Sequence, residues 1–185
     1  CSHLSDIQAV ILPQGRCTPL KQVKQKKINN KKSGDISSKD PAADFFEKLA
    51  KDTLLVMGAG AIQPRKGVDL FIATAQQIQK QASDLNVKFA WIGSGYDPDH
   101  DFNVSVWIKD QIDRSGLSER IVILDASPSY SKLISRSNIF LVSSRLDPLP
   151  NVAIDAILES TPVLCFDEAC GFATLLEKHQ SLHEA

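Results

Sequence analysis

Two carboxylates near the end of the chain, Asp147 and Asp155, are separated by seven residues that include two prolines. Pro148 and Pro150 prevent a preceding strand from continuing, and Pro150 suits a helix start because it has no amide to leave unpaired. The free amides and dipole at the start of that helix favour an anion. Asp155, one turn in, either accepts hydrogen bonds from a vicinal diol or only favours the helix dipole. The segment predicts an anion site, with Asp147 facing it from the loop.

A second candidate for anion chemistry is the segment GAGAIQPRKG, residues 58–67. Gly58 and Gly60 permit a close backbone approach, and Arg65 and Lys66 precede a predicted helix. The alternative is that both basic residues are simply solvated. The segment lacks the third glycine of the dinucleotide fingerprint, and the chain contains no GxxxxGK[ST] motif. NAD and P-loop ATPase functions are therefore disfavoured.

The segment GSGYDPDHD, residues 93–101, combines two glycines with three acids. Gly93 and Gly95 again open the backbone where a predicted strand ends. The acids at 97, 99 and 101 raise the alternative of a cation site, but the calcium-loop pattern fails at its glycine and at its final glutamate. An acidic turn is the favoured interpretation, and no metal site is predicted.

Five short apolar runs alternate with longer amphipathic segments, which indicates strands and helices in turn. This order predicts a doubly wound α/β fold, a parallel sheet buried on both faces by helices. Ligands bind such folds beyond the carboxyl ends of the strands. Trp91, Phe102 and Trp107 are predicted to pack in the core rather than to serve as stacking platforms. The runs are 53–60, 87–95, 120–126, 138–144 and 161–167, and the helical segments are 67–81, 102–116, 127–135 and 151–160.

Composition defines the domain organisation and the expected partners. The chain has 185 residues and a formal net charge of −1, so the overall charge indicates no nucleic-acid partner. Residues 1–45 are predicted to be an interdomain linker with a mobile lysine-rich loop, and residues 46–185 a Rossmann-like domain truncated at its C-terminus. The chain begins with Cys1 rather than Met, which favours an excised piece of a longer protein. Four cysteines without CxxC spacing, and no long apolar run, favour the cytoplasm.

Taken together, GAGAIQPRKGVDLFI, WIGSGYD and DPLPNVAID resemble the nucleotide-sugar-binding half of the retaining glycosyltransferases of family 4, also called group 1. The resemblance covers residues 52 to about 177. It implies a GT-B fold of two facing Rossmann-like domains and a hexosyltransferase activity. The donor substrate would be a nucleoside diphosphate sugar, and no separate cofactor is implied. The partner would be an N-terminal acceptor-binding domain of the same parent chain, and a peripheral membrane association of the parent enzyme is left open.

The resemblance also assigns roles to individual residues. Lys66 takes the position of the lysine that contacts the donor diphosphate, and Asp147 that of the carboxylate close to the donor sugar. Asp155 takes the position that binds the ribose hydroxyls. Backbone amides near the start of the predicted helix would meet the sugar and the diphosphate. The implied binding set is Gly60, Arg65, Lys66, Gly93, Gly95, Leu149, Pro150, Asn151, Val152 and Asp155, and the implied catalytic pair is Asp147 and Lys66.

Two positions differ from the family pattern. Asp147 and Asp155 replace glutamates and are one methylene shorter, so the crevice must be tighter or its contacts mediated by water. Ala61 stands where the family usually has an arginine, and Arg65 is the candidate to replace that charge. These differences keep open a non-catalytic nucleotide-binding or interaction module on the same fold. An epimerase or a phosphorylase is a further alternative, although no lysine-bound pyridoxal site is recognisable.

Overall fold

The computed structural model describes residues 40–178 as one parallel five-stranded sheet, in the order β3-β2-β1-β4-β5, with helices on both faces. The doubly wound α/β fold predicted from the sequence is confirmed. Residues 1–39, with most of the predicted linker, lie outside the described residues. The elements are α1 (Pro41–Lys48), β1 (Leu54–Ala59), a short 3-10 helix (Pro64–Lys66), α2 (Val68–Gln81), β2 (Val87–Ile92), α3 (Ser105–Ser115), β3 (Ile121–Leu124), α4 (Tyr130–Arg136), β4 (Ile139–Val142), α5 (Asn151–Leu158), β5 (Val163–Cys165) and α6 (Gly171–Lys178).

The sheet separates two hydrophobic cores. Helices α2 and α3 cover one face, where Phe71 packs edge-on against Phe89 and Trp91 with ring centroids 6.0 and 5.4 Å apart. Helices α1, α4, α5 and α6 contribute side chains to the core on the other face. No helix within residues 40–178 has the length and apolar character needed to cross a membrane. The two faces of the sheet are therefore covered by different helices.

Helix α1 includes residues 41–45, which the sequence analysis placed in the linker. Asp40 caps it, since its carboxylate accepts hydrogen bonds from the amide of Ala42 at 3.1 Å and from the hydroxyls of Ser127 and Ser129 at 2.7 and 2.8 Å. Hydrogen bonds from Ser127 and Ser129 hold the pKa of Asp40 below its usual value. The helix was missed because its eight residues give too short a pattern beside a polar segment. Its cap also fixes the loop after β3.

Two predictions about burial are wrong. Strand β5 is an edge strand with Leu164 42% exposed, so it is not buried on both faces. Trp91 is in the core as predicted, but Phe102 and Trp107 are 72% and 66% exposed. Trp107 lies about 100° around α3 from the buried Ile108, so the helix turns the indole away from the sheet.

Strands β1 and β4 form the switch point at which the strand order reverses. Only two residues of each strand are paired in the ladder, and Asn138 extends it by exchanging hydrogen bonds of 2.8 Å with the backbone of Leu55. Beyond the carboxyl ends of these strands, Gly67 has a φ of +70° and packs on the carbonyl of Ser143. A Cβ at position 67 would lie 1.9 Å from that oxygen. The switch point therefore depends on a glycine.

We expect Gly67→Ala to lower the free energy of unfolding more than Gly116→Ala. Both glycines have φ near +70°, but a Cβ at position 116 meets nothing within 4 Å. The left-handed conformation costs about 1–2 kcal/mol in either variant. Overpacking against Ser143 should add about 1–3 kcal/mol at position 67 alone. Urea unfolding of both variants measures the difference, and equal losses would contradict the close approach.

Candidate functional site

The loops that follow β1 and β4 are held together by backbone contacts. The amide of Arg145 donates to the carbonyl of Arg65 at 2.7 Å, and the hydroxyl of Ser143 donates to the carbonyl of Lys66 at 3.2 Å. These bonds place residues 65–67 against residues 143–145 at the carboxyl edge of the sheet. Doubly wound sheets bind ligands in such a crevice. The fold therefore brings two of the predicted site segments together.

Lys66 and Asp147 form a direct ion pair in this crevice. Lys66 Nζ lies 2.5 Å from Asp147 Oδ2, and the two side chains are 15% and 9% exposed. Arg65 Nη1 lies 3.7 Å from the same oxygen and remains 56% exposed at the rim. A charge-assisted hydrogen bond with so little solvent is much stronger than a surface ion pair. The two residues predicted as the catalytic pair are thus adjacent, with a second cation beside them.

The glycines of the first two loops pack those loops against each other. A Cβ on Gly93 would lie 2.0 Å from the carbonyl oxygen of Gly60, and a Cβ on Gly60 would lie 3.2 Å from the side chain of Lys66. The indole of Trp91 donates to the carbonyl of Gly60 at 2.8 Å. At Gly95, with φ +93°, a Cβ would meet nothing closer than 3.9 Å. Gly93 therefore serves close packing, Gly95 meets a conformational requirement, and Gly60, with a φ of +148°, does both.

The segment before α5 is clamped from the side of α6. The amide of Gly171 donates to the carbonyl of Asp147 at 3.1 Å, and a Cβ at position 171 would lie 1.8 Å from the carbonyl of Pro148. Leu149 is 8% exposed and Pro150 is fully buried, so neither side chain faces a ligand. Only backbone groups of this segment are therefore suited to the role that the resemblance implies.

Helix α5 begins at Asn151, as predicted. The side-chain oxygen of Asn151 is buried and has no hydrogen-bond partner within residues 40–178. Val152 is half-buried and packs on the core of the α5 face. An unsatisfied buried acceptor is costly, and its position in the first turn of α5 makes Asn151 a candidate to contact a donor group of a ligand.

Asp155 lies on the inner side of α5 and is 2% exposed. One of its hydrogen bonds comes from the hydroxyl of Tyr130 on α4, at 3.4 Å from Oδ2. The two carboxylates of the opening motif therefore have different surroundings. Asp147 pairs with a lysine at the switch point, whereas Asp155 sits in the packing between α4 and α5. Tyr130 was not among the predicted site residues.

The sequence analysis also missed the pair formed by Arg145 and Asp69. Arg145 makes two hydrogen bonds to the Asp69 carboxylate, at 2.8 and 2.7 Å, and a third to the carbonyl of Pro64 at 2.9 Å. Hydrogen bonding to Arg145 holds the pKa of Asp69 below its usual value, although partial burial opposes the shift. Arg145 could have been noticed as a base two residues before Asp147. Its partner, 76 positions away, could not.

The acidic turn caps α3. Asp101 accepts hydrogen bonds from the amide and hydroxyl of Ser105, at 2.9 and 2.8 Å, and from the amide of Asn103 at 3.0 Å. These bonds hold the pKa of Asp101 below its usual value. Asp97 contacts the ring of His100 at 3.0 Å. Across the part of the chain that the structure describes, no three side chains of metal-binding type cluster together. The acidic turn that the sequence favoured is thus present as a helix cap.

Comparison with known proteins places the chain in a family. The family model described as Glycosyl transferases group 1 matches residues 51–183, and the chain belongs to this family. An uncharacterised glycosyltransferase of Methanocaldococcus jannaschii is 22% identical over 134 residues, which are 72% of this chain and 31% of the relative. The chain thus spans about a third of the length of that relative.

Solved structures share the fold of this chain. Anabaena HepE, in complex with UDP-glucose, matches 72% of this chain and 35% of its own, at 20% identity and a TM-score of 0.60. WaaG, a glycosyltransferase involved in lipopolysaccharide biosynthesis, matches 79% of this chain and 37% of its own, at 17% identity and a TM-score of 0.60. The chain is a Rossmann-like domain of the GT-B type from a group 1 glycosyltransferase.

We expect Asp69→Asn to destabilise the protein at neutral pH by up to about 1 kcal/mol, because the bidentate pair with Arg145 is only partly exposed. Since the folded pKa of Asp69 is lowered, the pair stabilises the fold above the ordinary carboxyl pKa. That stabilisation is lost as pH falls through the lowered value. Urea midpoints of the wild type and the variant should differ at pH 7, and the difference should shrink as the pH falls below the ordinary carboxyl pKa of 3.8. Asp110→Asn, which breaks an exposed pair within one helix, serves as control, and a difference that did not shrink with falling pH would refute this account.

Proposed function

We propose that the chain is the donor-binding half of a retaining glycosyltransferase, whose parent enzyme moves a sugar from a nucleoside diphosphate to an acceptor hydroxyl. The observation that carries the proposal is the 2.5 Å contact between Lys66 Nζ and Asp147 Oδ2 at the switch point of the sheet. A cation suited to a diphosphate and a carboxylate suited to sugar hydroxyls lie there side by side, next to the start of α5.

The charge that develops during transfer accounts for the basic residues. The bond between the anomeric carbon and the diphosphate oxygen breaks, and a new bond forms to the acceptor oxygen on the same face of the sugar. The acceptor proton leaves to the released diphosphate or to water. Lys66, Arg65 and the amides at the start of α5 would stabilise the negative charge on the diphosphate without reorganising, at roughly 3 to 4 kcal/mol per well-placed donor. Asp147 would hold both Lys66 and the donor sugar.

The nucleoside would lie on the α4–α5 side of the switch point. There Asp155 would accept hydrogen bonds from the ribose hydroxyls, in exchange for or in addition to the bond from Tyr130. The base would approach the GSGYD loop, residues 93–97, and the loop over residues 125–130. Asp40 fixes the second loop through Ser127 and Ser129. Since HepE was crystallised with UDP and with UDP-glucose, UDP is the first nucleotide to test.

The acceptor and part of the catalytic surface would belong to an N-terminal domain of the parent chain. The length of the relatives, about three times that of the matched segment, supports this proposal. On its own, the chain should bind nucleotide weakly and transfer no sugar, because an isolated half lacks the facing surface that orients the acceptor. Assay of the purified chain with nucleotide sugars tests this, and sugar transfer by the chain alone would refute it.

Titration calorimetry with UDP, GDP and ADP tests the nucleotide site. We expect one of the three to bind, and Lys66→Ala and Asp155→Asn each to weaken binding tenfold or more, equivalent to about 1.4 kcal/mol. Lys66→Ala removes the cation beside the diphosphate, and Asp155→Asn removes a carboxylate acceptor for the ribose hydroxyls. Circular dichroism of each variant checks folding.

Lys80→Ala is the matched control, because Lys80 lies in the last turn of α2, at the opposite end of that helix from Lys66. It should leave the dissociation constant unchanged. Equal weakening by Lys80→Ala and Lys66→Ala would indicate a non-specific charge effect and contradict the proposed site. If Lys66→Ala leaves the dissociation constant unchanged, Lys66 does not contact the diphosphate.

Transfer by the parent enzyme should not require a divalent metal, because protein cations and helix amides supply the positive charge. Its turnover should therefore be unchanged in chelator. Loss of turnover in chelator with recovery in Mn²⁺ would refute the metal-free scheme. Asp97, Asp99 and Asp101 would then be candidate metal ligands. A parent protein that binds nucleotide but transfers no sugar would instead be a non-catalytic module on this fold.

A further inference from the structure

A second concavity lies on the face of the domain that α2 and α3 cover. Its volume is about 490 Å³, within the range of about 300–1,000 Å³ typical of small-molecule sites. The starts of α2 and α3 and the loop after β4 form its walls. This face is opposite to the one that carries Asp155 and Tyr130. The concavity is therefore distinct from the proposed nucleoside position.

Two large apolar side chains line the concavity and face solvent. The indole of Trp107 is 66% exposed, and Leu146 is 91% exposed. Leu146 also has a φ of +46°, a left-handed conformation that costs a side-chain-bearing residue about 1–2 kcal/mol. Its neighbours on either side explain why the strain persists, since Arg145 is bonded to Asp69 and Asp147 to Lys66. Core packing accounts for neither exposed side chain.

The lining also includes polar side chains. The amide side chains of Asn103 and Gln111 are neutral, and the carboxylate of Asp69 is paired with Arg145. The amide nitrogen of Gln111 donates to the carbonyl of Asp69 at 3.0 Å. Amides and carboxylates can each exchange several hydrogen bonds with hydroxyl groups. The lining therefore favours a ligand that has both hydroxyls and an apolar face.

We propose that this concavity binds a saccharide, namely the part of the acceptor that lies away from the transferred sugar. The weakly polar CH face of a pyranose would stack on Trp107, where the negative face of the indole attracts it. The hydroxyls would bond to Asn103, Gln111 and Asp69. This inference rests on the proposed transferase function, because it assigns the acceptor class to the same enzyme.

The position of the concavity supports an acceptor rather than an unrelated ligand. Arg65 lines the concavity and also lies 3.7 Å from Asp147, and Leu146 is the residue before Asp147. A saccharide bound there would thus extend toward the Lys66–Asp147 pair from the side opposite to the nucleoside. A protein partner would also bury Trp107 and Leu146, but a site for such a partner would not bind free saccharides.

The chain has two tryptophans, and their indole N–H signals in ¹⁵N-labelled protein report on the two sites separately. Trp91 is buried and donates to the carbonyl of Gly60 in the proposed diphosphate loop, whereas Trp107 lines the concavity. Maltose, cellobiose, lactose and diacetylchitobiose should be titrated into the whole chain, with UDP, GDP and ADP titrated separately. At least one saccharide should shift the Trp107 signal saturably and leave Trp91 unmoved. The nucleotide that binds should shift Trp91.

Variants make the test specific. Trp107→Phe assigns the signal, and Asn103→Ala should weaken saccharide binding about fivefold, as expected for the loss of one hydrogen bond. Phe102→Ala is the matched control, because Phe102 is a neighbouring aromatic, 72% exposed, that does not line the concavity. Saccharide binding by Phe102→Ala should equal that of the wild type. Thermal unfolding checks that each variant is folded.

The possible failures are distinguishable. If a nucleotide shifts Trp91 but no saccharide shifts Trp107, the saccharide proposal is overturned and the nucleotide site stands. If a saccharide shifts Trp107 but no nucleotide shifts Trp91, the concavity binds saccharide and its link to a transferase fails. If Phe102→Ala weakens binding as much as Asn103→Ala, the contact is a general apolar one and the proposal is overturned.

Discussion

The close approach of residues 65–67 to residues 143–147 is the constraint on which the rest of the site depends. Gly67 lets the loop after β1 rest on the carbonyl of Ser143, and hydrogen bonds from the Ser143 hydroxyl and the Arg145 amide secure it. This contact brings Lys66 within 2.5 Å of Asp147, although 81 positions separate them. Without it, the lysine would be one of many solvated cations and the aspartate an isolated buried charge, which is expensive to maintain.

Two ion pairs at this edge differ in burial and therefore in role. The Lys66–Asp147 pair is almost out of solvent, so loss of either partner would leave an uncompensated charge, and the geometry is accordingly fixed. The Arg145–Asp69 pair is 40% and 44% exposed and contributes little to stability, but its bidentate geometry orients the loop. The first pair is thus suited to chemistry. The second positions the loop and forms part of the wall of the neighbouring concavity.

Trp91 links the hydrophobic core to the site. Its ring packs on Phe71, and a Cβ on Gly58 would lie 2.7 Å from it, while its indole nitrogen donates to the carbonyl of Gly60. Gly58 is thus required by the packing of Trp91. The loop after β1 rests on a close-packed core, which restricts the movement of its backbone. This restriction suits a binding site, because a site requires its contacts to be held to within about 0.5 Å.

The sequence by itself determined the fold class, the alternation of the five strands with helices α2 to α5, and the loops that carry the candidate site residues, because hydrophobic period, proline and glycine are local signals. The family resemblance of three short motifs was also readable there. Tertiary structure decided what depends on distant pairing: the partners of Lys66 and Arg145, the exposure of Trp107, and the burial of Asp155 beside Tyr130. Each of these features depends on which loops the sheet order brings together or on the rotation of a helix about its axis. Residues near one another in the chain determine neither the sheet order nor that rotation.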